Sequence, residues 1–372
     1  MKTILIAPNS FKESASSVEV ADLFKKFLCF PSLEIISKPI SDGGDGFLSV
    51  CRNNYNLEII DFTVPSPYLP HEIFNVSVGY SSELKSLFIE SSDVLGLKKI
   101  PSDKRHPLYL TSAGLGELLN KINLRFNKQD ITKIVVGIGG TGVIDMGIGA
   151  LSSLGLKLFD KNNKELKPVP VNFINTAKIE YPTELFPFDL EIILDVDNPL
   201  LGDNGGVKVY GPQKGASEND LILIENGIKN IINILTQDKL IKNNTPLSGA
   251  GGGIPAGLSL FLNTNMKSSG YFILNDLNLN DFNSNNVNYL ITGEGKFDSQ
   301  SFFNKGTGIL LNHFKNIEKI FLCCGIINKN CSLPPNVYPI QFIDYFKNIK
   351  ESCSNISKGI ELSCCEIRQN IT

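Results

Sequence analysis

Asp195 and Asp197 close a short apolar run within the stretch Ile193–Ser217, ILDVDNPLLGDNGGVKVYGPQKGAS. The chain then turns on Asn198-Pro199, passes the glycines Gly202, Gly205 and Gly206, and reaches Lys214 between Gly211 and Gly215. Carboxylates at a strand end, pliable backbone and a lysine are what phosphoryl transfer needs. The acids can hold a divalent cation or take a hydroxyl proton, the loop can approach an anion, and the lysine can neutralise it. The plainer reading of the same letters is a polar strand-to-helix connection with an Asx-Pro turn.

Five further polar, glycine-rich corners tilt the balance toward chemistry. The first strand runs into Asn9, Ser10 and Lys12, and the second into Asp42-Gly43-Gly44-Asp45. A third corner holds Gly137, Gly139, Gly140, Thr141, Gly142 and Asp145; a fourth, Gly249–Gly253, includes Gly251 and Gly252. The fifth carries Glu294, Lys296 and Asp298. Glycine lets backbone N–H groups come close to an anion. Asp42 to Asp45 lacks the acid spacing of an EF-hand and reads better as the turn before a helix. Gly137, Gly139 and Gly142 form a GxGxxG with Asp160 further on, which is the pattern of a dinucleotide site. No GxxxxGK[ST] occurs, so a kinase here is not of the P-loop kind.

The elements that must position these corners are legible from periodicity. Thr3–Ala7 and Leu33–Ile36 read as strands around a helix over Ser16–Leu28, a βαβ opening that implies a parallel sheet. From Ile59 to Glu90 the pattern changes to strands alone (Phe62–Val64, Ile73–Val78, Ser86–Ile89), with Pro65, Pro67 and Pro70 marking a boundary. Thr111–Ile122 and Leu221–Leu235 have helical spacing. Thr132–Val136, Leu156–Phe159 and Leu190–Leu194 read as strands, and a small-residue helix runs on from the Gly137–Gly142 loop through Leu151. The Asn-rich stretch from Asn275 to Asn288 reads as a surface connection and second boundary. Strands at Val287–Ile291, Ile320–Cys323 and Val337–Phe342, with a helix at Gly306–Phe314, then restore the α/β alternation.

At 372 residues the chain exceeds one core. The expected architecture is α/β in two domains. Residues 1–62 and 283–372 are expected to form one parallel-sheet α/β domain, and residues 63–282 a mixed α/β domain inserted between them. Ligands in such sheets sit at the carboxyl ends of strands, and clefts between domains are favoured pockets, so an interdomain site is expected.

The balance of 35 Lys and Arg against 38 Asp and Glu, with no basic tract, speaks against nucleic acid as a partner. No apolar run is long enough for a signal peptide or a membrane span, and a cytoplasmic address is the default expectation. Eight cysteines without a CxxC pair are expected as reduced thiols. His71, His106 and His313 lie far apart, against a zinc site or a histidine triad.

With these motifs assembled, the chain resembles the bacterial glycerate kinases of the first type. APNSFKES is similar to that family's APDSFKGS, ISDGGDG to its ADGGEG, and GLGEL to its GTGEL. LDVDNPL and YGPQKGAS nearly coincide with family signatures, TGEGKFDSQS resembles TGEGRLDAQT, and Leu247–Gly257 resembles the glycine cluster. The resemblance implies two α/β domains, the one built from residues 1–62 and 283–372 Rossmann- or flavodoxin-like, and transfer of the ATP γ-phosphoryl group to D-glycerate with Mg2+, usually giving 2-phosphoglycerate. By motif position it implies Asp195 as the base and Asp197 as a Mg2+ or orienting carboxylate. Lys12 and Lys214 would meet phosphate or the glycerate carboxylate, with Ser10 donating a hydrogen bond. Asp42, Gly43, Gly44, Gly251 and Gly252 would complete the substrate and phosphate surface, with Glu294 and Asp298 at its polar rim or metal shell. Gly137, Gly139, Gly140, Thr141 and Asp145 would take the nucleotide. The partners are then small molecules, with a homodimer left open.

Departures from the pattern keep two alternatives in view. Asn9 replaces an acid and Glu13 a glycine, while GIGGTGVIDMG stands where the family has GIGGSATNDGG, so Ile144 replaces Asn and Met146 replaces Gly. A catalytically impaired ligand-binding relative would follow if that loop touches ligand. A nicotinamide-dependent oxidoreductase would follow from the GxGxxG with Asp160.

Overall fold

The structure, a computed structural model, describes residues 2–12, 14–28, 33–68, 72–183, 186–242, 247–302, 305–328 and 330–371. Glu13, Cys29, Pro70 and His71 lie outside the described residues. The chain clusters into two compact units, Met1–Asn56 with Ser268–Thr372, and Leu57–Lys267.

The terminal unit is built on five parallel strands, Lys2–Ile6, Leu33–Ser37, Tyr289–Thr292, Lys319–Cys324 and Val337–Gln341. Tyr289–Thr292 is buried at every position, as expected of a strand covered on both faces, and that is why it reads as a continuous apolar run. The spatial order places Lys2–Ile6 between Leu33–Ser37 and Tyr289–Thr292, with Lys319–Cys324 and then Val337–Gln341 beyond. This is the flavodoxin-like order 2-1-3-4-5, and its switch point lies between Lys2–Ile6 and Tyr289–Thr292. All five carboxyl ends share one edge, so the loops that follow Ile6, Ser37 and Thr292 emerge together.

Helix Ser17–Phe27 starts at a capping box in which Ser16 and Glu19 satisfy each other's backbone N–H groups. It buries Val20, Ala21 and Phe24 in one core with Ile360, Cys364 and Ile367 of helix Ile356–Asn370. Val20, Phe24, Ile360 and Ile367 each contribute about 1.5–3 kcal/mol when fully removed from water.

The 57–267 unit holds a six-stranded mixed sheet, in spatial order Thr264–Ser268, Asp189–Leu194, Lys133–Ile138, Ser86–Glu90, Ile73–Ser81 and Glu58–Pro65. Ser86–Glu90, Lys133–Ile138 and Asp189–Leu194 run parallel; the hairpin Glu58–Pro65 with Ile73–Ser81 is antiparallel. Helices Ala113–Arg125, Ile148–Ser153, Glu218–Gln237 and Ile254–Phe261 contribute to a single large core.

Both unit boundaries differ from the sequence expectation. The first falls at Asn56 because Glu58–Pro65 pairs with Ile73–Ser81 along its whole length, from Glu58 opposite Tyr80 to Pro65 opposite Ile73. The second falls at Ser268 because the Asn-rich stretch is not a free connection. Phe272, Ile273, Leu277 and Leu279 are buried, Phe272 packs on Phe47, and the Tyr55 hydroxyl donates to the Asp276 carbonyl.

Among the described residues the seven cysteines are free thiols, and no helix is long and apolar enough to cross a membrane.

Candidate active site

Three parallel strands of the 57–267 unit end side by side. Glu90 pairs with Gly137, and Leu194 with Ile138, so Glu90, Gly139 and Asp195 emerge along the same edge. Asp195 is half-buried and Asp197 exposed at the start of the Asn198-Pro199 turn. That turn is stitched in place. Gly249 N–H donates to the Asn198 carbonyl, Gly206 N–H to the Pro199 carbonyl, and Tyr210 hydroxyl to Asn198 Oδ1 at 2.8 Å. Burial, then the charges of Asp195 and Asp197, push the Tyr210 phenol up, which places the tyrosine within electrostatic reach of both acids.

Lys214 is buried rather than held out toward solvent. Its Nζ donates to the Val143 carbonyl at 2.9 Å and to Thr141 Oγ1 at 3.3 Å, tying its segment to the loop that follows Ile138. Loss of water pushes its ammonium down to about 8, against the pull of Asp195 and Asp145. Asp145 is fully buried, with its two carboxylate oxygens accepting from Ser112 N–H and hydroxyl and from the N–H groups of Gly147 and Gly149. Burial raises its pKa despite these donors. Asp145 therefore organises the loop; no face of it is turned to a ligand.

The glycines expected to take the nucleotide divide in a similar way. Gly137 lies inside a strand, Gly139 is buried and held by Ser91, and Gly140 is exposed with a left-handed backbone. Helix Ile148–Ser153 begins well past these glycines, so no dinucleotide turn is formed. Asp160 belongs to a separate small sheet, where Lys157–Phe159 pairs antiparallel with both neighbours, and its carboxylate accepts from Asn162 and Lys164. Gly251 and Gly252 pack against the same loop rather than opening a cradle. A Cβ on Gly252 would come within 2.0 Å of the Val143 carbonyl oxygen. Ile144 and Met146 are both core side chains, so the polar group missing at 144 is not missing from a ligand surface. Met146 keeps the left-handed backbone (φ 53°) at a position where the family pattern has glycine.

The terminal unit gathers the other expected residues at its switch point. Asn9 is buried and its Nδ2 donates to Asp42 Oδ2 at 3.2 Å. An aspartate at position 9 would set two carboxylates against each other; asparagine donates instead. Ser10 N–H donates to Asn9 Oδ1, and Gly43 and Gly44 N–H groups are turned onto Ser41 Oγ and Asp42 Oδ1. Lys12 is exposed, and the backbone of Gly295 packs against its N–H. Asp298 pairs with Lys296 at 3.5 Å, and its N–H donates to Ser301 Oγ.

Glu294 is half-buried, with its Oε1 fully buried and without a hydrogen-bond partner among the described residues. Burial pushes its carboxyl up to about 7, against a hydrogen bond with Ser301 and the charges of Lys305 and Lys12. Sequence reasoning missed Glu90, Tyr210 and Lys305. The signal for Glu90 was its place as the last residue of an apolar strand; Tyr210 and Lys305 carried none.

Among the described residues no group of three or more His, Cys, Asp or Glu side chains is placed to hold a metal ion. Mg2+ keeps several waters and needs only one or two carboxylates beside phosphate oxygens, a donor set that Asp195 and Asp197 fit.

Residues 4–364 match the glycerate kinase family. The chain is 35% identical over 308 residues to glycerate 2-kinase of Escherichia coli (strain K12), covering 81% of this chain and 79% of that protein. It is 30% identical over 367 residues to glycerate kinase of Neisseria meningitidis serogroup B, covering 96% and 91%. A solved structure assigned as glycerate kinase 2 of Salmonella typhimurium LT2 superposes with a TM-score of 0.76 at 25% identity, over 99% of each chain.

Proposed function

Because the chain belongs to the glycerate kinase family, we propose that it transfers the γ-phosphoryl group of ATP to D-glycerate in the presence of Mg2+. The expected product is 2-phosphoglycerate, in line with the relative named glycerate 2-kinase. The observation that carries the reading is the strand register that brings Asp195 out next to Gly139 at the same sheet edge as Glu90, with buried Lys214 in electrostatic reach.

Phosphoryl transfer asks the protein mainly to position and to balance charge. Asp195 and Asp197 would hold the cation, and Mg2+ bound there would offset phosphate charge. Exposed Gly140 leaves backbone open to an approaching anion, while Lys214 holds the loop that carries it. In the terminal unit, Lys12 supplies an exposed positive charge for a carboxylate or phosphate. Asn9 keeps Asp42 in place, and Ser10 remains partly open to solvent. Asn9, Ile144 and Met146 do not favour an impaired relative, because one is a satisfied polar residue and two belong to the core.

Incubation of the protein with Mg-ATP and D-glycerate, followed by phosphorus NMR, is expected to show ADP and 2-phosphoglycerate. Absence of any phosphoglycerate would reject the reading, and the 3-isomer would correct the position of transfer. Asp195→Asn is expected to lower kcat by roughly 100- to 1000-fold. An unchanged kcat would remove Asp195 from the chemistry.

A further inference from the structure

The loop after strand Tyr289–Thr292 is pinned on both sides. Asn9 N–H donates to the Gly293 carbonyl, Gly325 N–H to the Glu294 carbonyl and Ile326 N–H to the Gly295 carbonyl. Thr292 Oγ1 donates to the Ala7 carbonyl at 2.8 Å. Gly293 has no room for a side chain, since a Cβ there would lie 1.5 Å from the Cys323 carbonyl oxygen. Glu294 is thus fixed at the switch point of the flavodoxin-like sheet, where ligands of such sheets bind.

Within this fixed frame Glu294 Oε1 is buried and accepts no hydrogen bond from the described residues. An unmet buried acceptor costs about 1–3 kcal/mol, which a ligand hydroxyl donating to it would recover. The groups around it come from every neighbouring element: Lys12 from the first loop, Asp42 from the second, Ser301 and Lys305 ahead of helix Gly306–His313, and Cys324 from the adjacent strand. Two lysines and a helix start favour an anionic substrate there, while the orphan oxygen asks for a hydroxyl. Glycerate carries both.

We infer that Glu294 is the catalytic base, taking the proton of the glycerate hydroxyl that attacks the γ-phosphorus; the role rests on the kinase reading above. The hydroxyl oxygen forms the new bond to phosphorus as the bond from phosphorus to the β,γ-bridging oxygen breaks. That electron pair leaves with ADP, and the proton passes to the Glu294 carboxylate and then to solvent. Asp195, to which the family resemblance assigns this part, is then not the base. The burial that raises Glu294 toward about 7 suits the role, because a base poised near neutrality is ionised at working pH and still accepts a proton readily.

The test is the pH dependence of kcat/KM for glycerate at saturating Mg-ATP. The wild type is expected to lose activity as pH falls through an ionisation near 7. Glu294→Gln should lower kcat/KM by roughly 100-fold or more and abolish that acidic limb, with the KM for ATP moving less than about threefold. Glu294→Asp should restore the limb at reduced rate. Removing a nearby positive charge with Lys12→Met should move the midpoint upward. A wild-type midpoint at an ordinary carboxylate value near 4.5 overturns the inference, and this result needs no variant to fold. So does a Glu294→Gln enzyme that keeps its rate or its acidic limb. If those results leave phosphate transfer to glycerate intact, only the base assignment falls; failure of the wild type to phosphorylate glycerate at any pH removes the kinase reading itself.

Discussion

Lys214 in the 57–267 unit and Glu294 in the terminal unit are both driven toward neutrality by loss of water, one down to about 8 and the other up to about 7. Their partners separate them. The Lys214 ammonium is engaged by the Val143 carbonyl and Thr141 hydroxyl, so its burial is compensated and it acts as a strut between two loops. Glu294 keeps one buried oxygen without a donor. Similar displacement from the ordinary value therefore marks structural service in one unit and readiness for chemistry in the other. The shift alone does not tell them apart; the hydrogen-bond inventory does.

The largest effects should come from the glycines that let these loops close. Gly252→Ala forces a Cβ to 2.0 Å from the Val143 oxygen on a left-handed backbone (φ 75°), and Gly293→Ala forces one to 1.5 Å from the Cys323 oxygen. Each is expected to cost on the order of 3–5 kcal/mol, read as a lowered denaturation midpoint. Gly202→Ala is the control. Its backbone is also left-handed (φ 99°), but nothing lies within 4 Å of its Cβ, so about 1 kcal/mol should be lost. Equal losses at all three positions would show that backbone conformation, not close approach of the loops, sets the cost.

The opposed shifts of Lys214 and Glu294 should appear as opposed pH dependences of stability. Lys214 has its folded pKa lowered, so between about 8 and 10.5 the unfolded chain binds more protons and stability rises with pH. Glu294 has its folded pKa raised, so the stability it contributes is complete below 4.5 and is lost as pH rises through about 7. Measured as wild type minus Lys214→Met, the difference should move in favour of the wild type across the first window. Measured as wild type minus Glu294→Gln, it should move against the wild type across the second. Each change is on the order of 3 kcal/mol. Slopes of the same sign would overturn the account of how the two units carry buried charge.

Much of this frame was legible in the letters because it rests on local pattern. The strands at both chain ends are apolar runs between glycine-rich loops, and Ser16 with Glu19 announces a helix start. The polar edge strand Thr264–Ser268 escaped because its sequence, TNMKS, has no alternation or apolar run. Helix Ile356–Asn370 escaped because its buried stripe of Gly359, Ile360, Ser363, Cys364 and Ile367 is only partly apolar. At the site, identity was easier to read than environment. Asp145 and Lys214 read as ligand contacts; that both are buried and bonded within the fold depends on packing, which spacing does not encode. The orphan oxygen of Glu294 is likewise a property of packing among loops far apart in sequence.

The smallest effect tests whether the two units differ only at their loops. Both contain the same device, a capping box, at Ser16–Glu19 in the terminal unit and Ser217–Asp220 in the other. In each, the serine Oγ accepts from the acid's N–H at 3.2 Å and the acid accepts the serine N–H at 2.8 Å. Ser16→Ala and Ser217→Ala should therefore cost similar amounts, about 1 kcal/mol each, with hydrogen exchange quickening at Glu19 and Asp220. The hydrogen bonds from Ser16 hold the Glu19 carboxyl below its ordinary value, so the stabilisation at that box is present above 4.5 and fades as pH falls through the lowered pKa. Ser16→Ala should thus cost less in acid, where only the cap from the serine oxygen to the Glu19 N–H is left to lose. A Ser16→Ala cost that stays constant down to pH 2 would show that the box contributes through the serine oxygen alone.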